Sequence, residues 1–266
     1  MIAFLRRMRG LLVVQYAQML EFRAELVLWA LSNSLSFILM GVWHEATSRG
    51  TFTIQPLEVV RYFLAVFIIR QLTVVWVMWE FEQDVLQGRL SHFLLSPVDP
   101  VWRYIAAHLA ERLARLPFSV GLVVLFFVIY PQAFFVPDPV NALLALAFAV
   151  IAFILRFAMQ YTLALLAFWT ERASSAESLM FIVYMFLSGA VAPLDVFPPG
   201  VKDVVMWTPF PYLIWVPARL LVPTSTGEEI DVVRAALVCA VWFVGLVILN
   251  RWLWKRGLRK HSAMGA

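Results

Sequence analysis

Residues 140–170 read VNALLALAFAVIAFILRFAMQYTLALLAFWT, a run whose single charge is Arg156. Its apolar residues surround the helix instead of forming one stripe, so the surrounding medium is itself apolar. A bilayer core takes about 20 such residues per helix, and this run exceeds that length. The rest of the chain has the same character. Of 266 residues, 62% are hydrophobic and 14% charged, with a mean hydropathy of +0.82. A soluble domain carries about 25% charged residues, more than this chain has to cover itself in water.

Outward from that run, similar segments predict an all-α integral membrane protein of about six spans. The first is expected near Ala24–Trp43, the second near Leu57–Trp79 and the third near Leu113–Tyr130. Val140–Thr170 is the fourth, a fifth fades near Ala190, and Val232–Trp254 is the last. Ile2–Arg23 sets Arg6, Arg7 and Arg9 among apolar residues, the pattern of an interfacial helix. It has no small-residue cleavage site after its apolar part, which argues against a removed signal peptide. A polar segment, Glu80–Arg112, separates the second and third spans, and Ala192–Pro223 is too rich in proline to cross as one helix. The expected layout is one membrane domain over 1–266: interfacial helix 1–23, spans 24–190, an external segment 191–231, the last span 232–255 and a basic tail 256–266.

Charge orients these spans. With the N-terminus in the cytoplasm, the inner side holds Arg6, Arg7, Arg9, Arg23, Arg89, Arg103, Arg112, Arg115, Arg172, Arg251, Lys255, Arg256, Arg259 and Lys260. The outer side holds Arg49, Lys202, Arg219 and Arg234, so the ratio is 14 to 4. Basic residues gather on the cytoplasmic side, which predicts that both termini are cytoplasmic in a cell membrane. The sequence pI near 9.5 therefore reads as topology and not as nucleic-acid binding.

Bond-making chemistry has no foothold in the sequence. The three lysines, Lys202, Lys255 and Lys260, sit outside any phosphate-binding loop, so ATP has no such site here. Neither a metalloprotease His pair nor a nucleophile elbow occurs. His44, His92, His108 and His261 fall outside the expected hydrocarbon core, no metal cluster is visible, and Cys239 is alone. Carboxylates lie at span margins, as Glu25 and Glu58 do, or in loops, which counts against an ion-coupled carrier. Catalytic residues are accordingly expected to be absent.

Three arginines fall inside spans. Arg61 lies close enough to an end to snorkel. Arg70 and Arg156 lie deeper, where a charge costs roughly 2.5 kcal/mol or more, and no carboxylate is expected at their depth. They face a hydrated cavity, a lipid phosphate or an anionic group on a cargo, or bond to span carbonyls. Phe157, Met159, Tyr161, Phe181, Tyr184 and Met185 line an apolar cargo path, face lipid or pack helices. Trp76, Trp79, Trp102, Trp169, Trp207 and Trp254 read as interfacial anchors.

The segment EFEQDVLQGRLSHFLLSPVDP, residues 80–100, is the most informative. Glu80, Glu82 and Asp84 open it, Leu90, Phe93, Leu94 and Leu95 form an apolar patch, and Pro97 and Pro100 end any helix. A short helix of this kind docks into a groove on a partner or rests on the membrane surface. The acidic residues pair with bases on that partner or are solvated.

Gly88, Arg89 and Leu90, followed by Leu94, Leu95, Ser96 and Pro97, resemble the loop between spans two and three of ABC-2 type permeases. A second similar region runs through Ser188, Gly189, Ala192, Pro193, Leu194, Phe197, Pro198, Thr208, Pro209, Phe210 and Pro217. The order of these features over most of the chain is similar to that family of ATP-binding-cassette exporters. The resemblance implies an N-terminal interfacial helix, six spans, a coupling helix between spans two and three, and a re-entrant external hairpin before span six. It also implies two copies of a separate ATPase holding ATP and magnesium, and a second permease, identical or sister. The implied cargo is amphipathic or hydrophobic: a drug-like molecule, lipid or glycan. An ion-coupled carrier and a scaffold without cargo are the alternatives.

Overall fold

A computed structural model describes residues 2–21, 28, 35–50, 52, 54–222 and 229–263, and every element among them is helical. Chain order is α1 (Ile2–Glu21), α2 (Leu35–Ser48), α3 (Pro56–Thr73), α4 (Val77–Leu86), α5 (Arg89–Leu94) and α6 (Pro100–Ile129). Then follow α7 (Pro139–Ala164), α8 (Ser174–Leu187), α9 (Pro199–Val205), α10 (Trp215–Leu221) and α11 (Val232–Ala263). Short 3-10 turns lie at Pro131–Ala133, Leu165–Phe168, Leu194–Val196 and Phe210–Leu213.

Four stretches among these residues are long and apolar enough to cross a bilayer: Pro56–Leu86, Pro100–Ile129, Pro139–Phe168 and Val232–Lys260. The expected first span, but for Leu28, lies outside the described residues until Leu35. The expected fifth span is the 14-residue α8, roughly 21 Å long and shorter than a bilayer core.

Local chemistry sets the helix starts. Asp138 accepts from the N–H groups of Val140 and Asn141 at 3.0 and 3.1 Å, with Pro139 in the first turn of α7. Asp99 does the same for α6 through Val101 N–H at 3.1 Å, ahead of Pro100. Such caps fill donors that the first turn leaves open, and proline there forfeits no hydrogen bond. The third span therefore belongs to a helix that begins at Pro100, inside the expected polar segment, and Arg103, Arg112 and Arg115 ride on it.

α3 and α7 are the central helices. α3 packs on α2, α6, α7 and α10; α7 also holds α4, α8 and α11, while α1 lies along α6. Two apolar cores result. One gathers α3 up to Ile69 with the middle of α7 and residues 184–222; the other gathers Val75–Phe81, Leu90, Tyr104 and the end of α7 through Phe168. Between Ile69 and Val75 the buried residues Arg70, Gln71 and Thr73 form a polar layer.

The expected second span is interrupted at this layer, because helical structure stops at Thr73 and resumes at Val77. Arg112 donates to the carbonyls of Leu72, Val74 and His108. Trp76 N–H donates to His108 Nε2 at 2.8 Å, and His108 Nδ1–H donates to the Tyr104 carbonyl at 2.8 Å. Backbone groups freed at a break must be satisfied from within the protein, and α6 satisfies them here. His108 is thus fully buried within the protein.

Candidate functional site

Three places concentrate polar chemistry. The first is the elbow between α4 and α5. Gly88 turns it at φ +72°, a left-handed conformation that side chains disfavour. Asp84 fixes it, accepting from Arg89 Nε at 2.7 Å and from the Tyr104 hydroxyl at 2.8 Å. Glu82 reaches α8, accepting from Ser174 N–H at 2.6 Å and its hydroxyl at 3.1 Å. Both carboxylates are buried and occupied within the chain, while Glu80 is half-buried. Leu90 is fully buried, and Phe93 lies under the Arg103 guanidinium, 3.8 Å from its ring centroid. Leu94, Leu95, Ser96 and Pro97 are exposed at the tip, Leu95 to 84%. Beside it, a cleft of about 480 Å3 runs between α1 and this tip, edged by Arg7, Gly10, His92 and Pro97.

The second place is the polar layer. Arg156 Nη1 donates to the Tyr184 hydroxyl at 2.8 Å, and its guanidinium carbon lies 4.3 Å from that ring's centroid. One turn along α7, Gln160 donates to Glu177 Oε1 at 2.7 Å. Arg70 interacts electrostatically with both Tyr184 and Arg156. The expectation that no carboxylate lies near the deep arginines is corrected by Glu177, which α8 carries to the face of α7. Phe157 and Tyr161 do not join this group. They stack on each other at 5.9 Å, and Tyr161 packs against Phe81 in the second core. Their other face lines an apolar groove of about 500 Å3 among α6, α7 and α11.

The third place is the segment after α8. Gly189 turns at φ +86°, where a Cβ would meet the Tyr62 hydroxyl at 2.6 Å and the Trp215 Cβ at 2.8 Å. Tyr62 donates to the Gly189 carbonyl at 2.7 Å, and Trp43 Nε1 donates to the Val191 carbonyl at 2.8 Å. Beyond it, Pro193 and Pro209 are buried, Phe197 and Phe210 half-buried, and Pro198 exposed. α10 is sunk between α3 and α7, and there Arg219 pairs with Glu58 at 2.9 Å and with Asp195 at 3.3 Å. Trp215 Nε1 also donates to Asp195, at 3.0 Å. Arg61 donates to the carbonyls of Ala133 and Phe134, each at 3.2 Å.

The model of the family described as ABC-2 family transporter protein matches residues 16–265. This chain belongs to the ABC-2 transporter family. It is a multi-pass membrane protein of a family whose transmembrane subunits carry no ATPase domain. No curated protein matches the sequence.

Sequence reasoning about this ABC-2 chain missed Glu58, Glu177, Asp195 and Arg219. Glu177 and Tyr184 lie seven residues apart, and Arg156 and Gln160 four apart, spacings that share a helix face. That signal was present. The pairing of Glu58 with Arg219, 161 residues apart, had none. Among the described residues no group of acidic, histidine or cysteine side chains is arranged to hold a metal.

Proposed function

We propose that the chain is the transmembrane permease of an ATP-driven exporter, worked by a separate ATPase present in two copies that hold ATP and magnesium. Two permeases, identical or sister chains, form the translocating unit. The family membership supports this, and one observation carries the coupling: the Leu94–Leu95 tip. It is an exposed apolar point on a short helix between two span-length helices, held rigid by Asp84, Arg89 and Tyr104. An apolar knob on a fixed elbow suits a groove on a partner, and force applied there passes through α4 directly to the break at Val74–Trp76.

In this reading the chain is one domain with six spans, α1 interfacial and residues 191–231 a re-entrant external hairpin. Both termini lie in the cytoplasm of a prokaryotic inner membrane. The cargo is amphipathic or hydrophobic, a drug-like molecule, lipid or glycan, and moves outward past Arg70, Arg156 and Tyr184. The buried Glu177 favours a second reading, an ion-driven carrier, because intramembrane carboxylates commonly serve ion pathways.

Mild-detergent capture of the tagged chain from its host separates the two. The exporter reading expects an ATPase with a phosphate loop to co-purify, and Leu95→Glu to release it without changing the melting temperature of the permease. An intact permease that brings no ATPase, and transports on an ion gradient alone, overturns it.

A further inference from the structure

Arginines gather where α1 meets the start of α6. Arg6, Arg7 and Arg9 are exposed on α1, and Arg103 is exposed in the first turn of α6. α1 lies along α6, and the cleft of about 480 Å3 beside the elbow tip is lined by Arg7 from one helix and Arg103 from the other. The Arg103 guanidinium rests on the Phe93 ring, which engages its face and leaves its edge N–H groups. Among the described residues, no hydrogen bond or ion pair holds either guanidinium. Glu80 is within electrostatic reach of Arg103 but does not line the cleft. The one carboxylate that does is Asp99, and both its oxygens are engaged: one caps Val101 N–H, the other pairs with Arg251 at 2.8 Å. The cleft is left with a positive excess, to which His92 adds an imidazole.

Both helices turn from charged to apolar along their length. Arg7, Gly10, Leu11 and Val14 stand at i, i+3, i+4 and i+7, which is one face of α1. That face begins with charge at Arg7 and reaches the exposed, apolar Val14. On α6 the charges end at Arg115, and the predominantly apolar residues 116–129 follow. A cavity of this size is ample for a small-molecule headgroup. Charge that gives way to apolar surface along two adjacent helices matches a lipid, headgroup first and chains after.

We propose that this cleft binds the headgroup of an anionic bilayer phospholipid, with Arg7 and Arg103 on its phosphate and its chains along Leu11 and Val14. Guanidiniums take phosphate oxygens through charge-assisted, often bidentate hydrogen bonds. A zwitterionic lipid offers the same phosphate together with an ammonium. That ammonium finds no uncommitted carboxylate in the cleft, since Asp99 is fully engaged. The bound lipid joins α1 to the elbow. The inference rests on α6 crossing the bilayer; it needs neither an ATPase nor a cargo.

The test titrates the purified full chain in mild detergent with phosphatidylglycerol and with phosphatidylcholine of identical chains. Native mass spectrometry reads the affinity of the first bound lipid. Phosphatidylglycerol is expected to bind about twentyfold tighter, from about fivefold for each arginine at the headgroup. Arg7→Gln and Arg103→Gln each lower this preference about fivefold, and the double variant abolishes it. Phosphatidylcholine binding and the melting temperature stay unchanged, which reports an intact fold. A variant with Arg256→Gln and Arg259→Gln removes the same charge from exposed positions on α11 and keeps the preference. Equal binding of the two lipids by the unaltered chain, or an equal loss in the α11 variant, overturns the proposal. Displacement of phosphatidylglycerol by inorganic phosphate overturns it as well, in favour of a site for free anions. So does a double variant that keeps the lipid preference but no longer captures an ATPase, which gives the cleft to that partner. Failure to find any ATPase removes the exporter reading and leaves these affinities untouched.

Discussion

Gly189 sits where three constraints meet: a positive φ, the Tyr62 hydroxyl and the Trp215 Cβ. Gly189→Ala is expected to destabilise by about 1–3 kcal/mol from backbone conformation alone, with steric overlap in addition. Tyr62→Phe does not rescue it, since the Trp215 Cβ stays at 2.8 Å. Melting of the single and double variants in detergent checks both statements. Arg219 is the other decisive residue, because it joins Glu58 of α3 to Asp195 of the following segment. Arg219→Met takes the guanidinium from the buried Glu58 and leaves Asp195 with Lys202 at 3.8 Å, for an expected loss of about 3 kcal/mol. Replacing Glu58, Asp195 and Arg219 together by apolar residues recovers most of that loss, as the melting temperature of the triple variant reports.

At the scale of elements, the interruption between α3 and α4 is the feature with consequences. A continuous helix would satisfy its own backbone, whereas this one depends on Arg112 and His108 of α6. Arg112→Leu strands the carbonyls of Leu72 and Val74, at about 1–3 kcal/mol for each group left unpaired. Arg112→Lys restores only part, because one ammonium cannot reproduce a planar fork that reaches three carbonyls. Amide exchange of residues 72–78 should rise in both variants, more in the leucine one; unchanged protection would show that the break needs no support from α6. The same dependence links α6 to the α4–α5 elbow, since Tyr104 of α6 binds Asp84.

For the whole molecule, the proposed topology puts the elbow and the end of α11 on one side of the membrane and the segment after α8 on the other. Cysteines placed at Gln83 and Arg256 in a Cys239→Ala background are expected to react with an impermeant maleimide only after the cells are opened. Cysteines at Phe134 and Asp203 react in intact cells. All four positions are exposed on the protein, so labelling reports sidedness and not burial. Reaction of Gln83→Cys in intact cells would reverse the orientation and remove the proposed contact with a cytoplasmic ATPase.

The sequence by itself determined the solvent, the helical class and the family. The first two are written in local composition, above all in the apolar run 140–170, and the family in the order of motifs around Gly88 and Gly189. Lipid imposes helical structure on any long apolar segment, because backbone groups find no partner there except within the segment. Only the tertiary structure decided which polar residues meet. Glu58 and Arg219, Glu82 and Ser174, Arg112 and the carbonyls at Leu72 and Val74 lie far apart in sequence, and charge carries no label naming its partner. The acidic opening of the elbow illustrates the difference. Residue type alone left Glu82 and Asp84 free for an outside partner, and packing turned both inward, since burial next to Ser174, Arg89 and Tyr104 satisfies them. Arg70 is the converse case, a charge two of whose buried donors find no acceptor among the described residues.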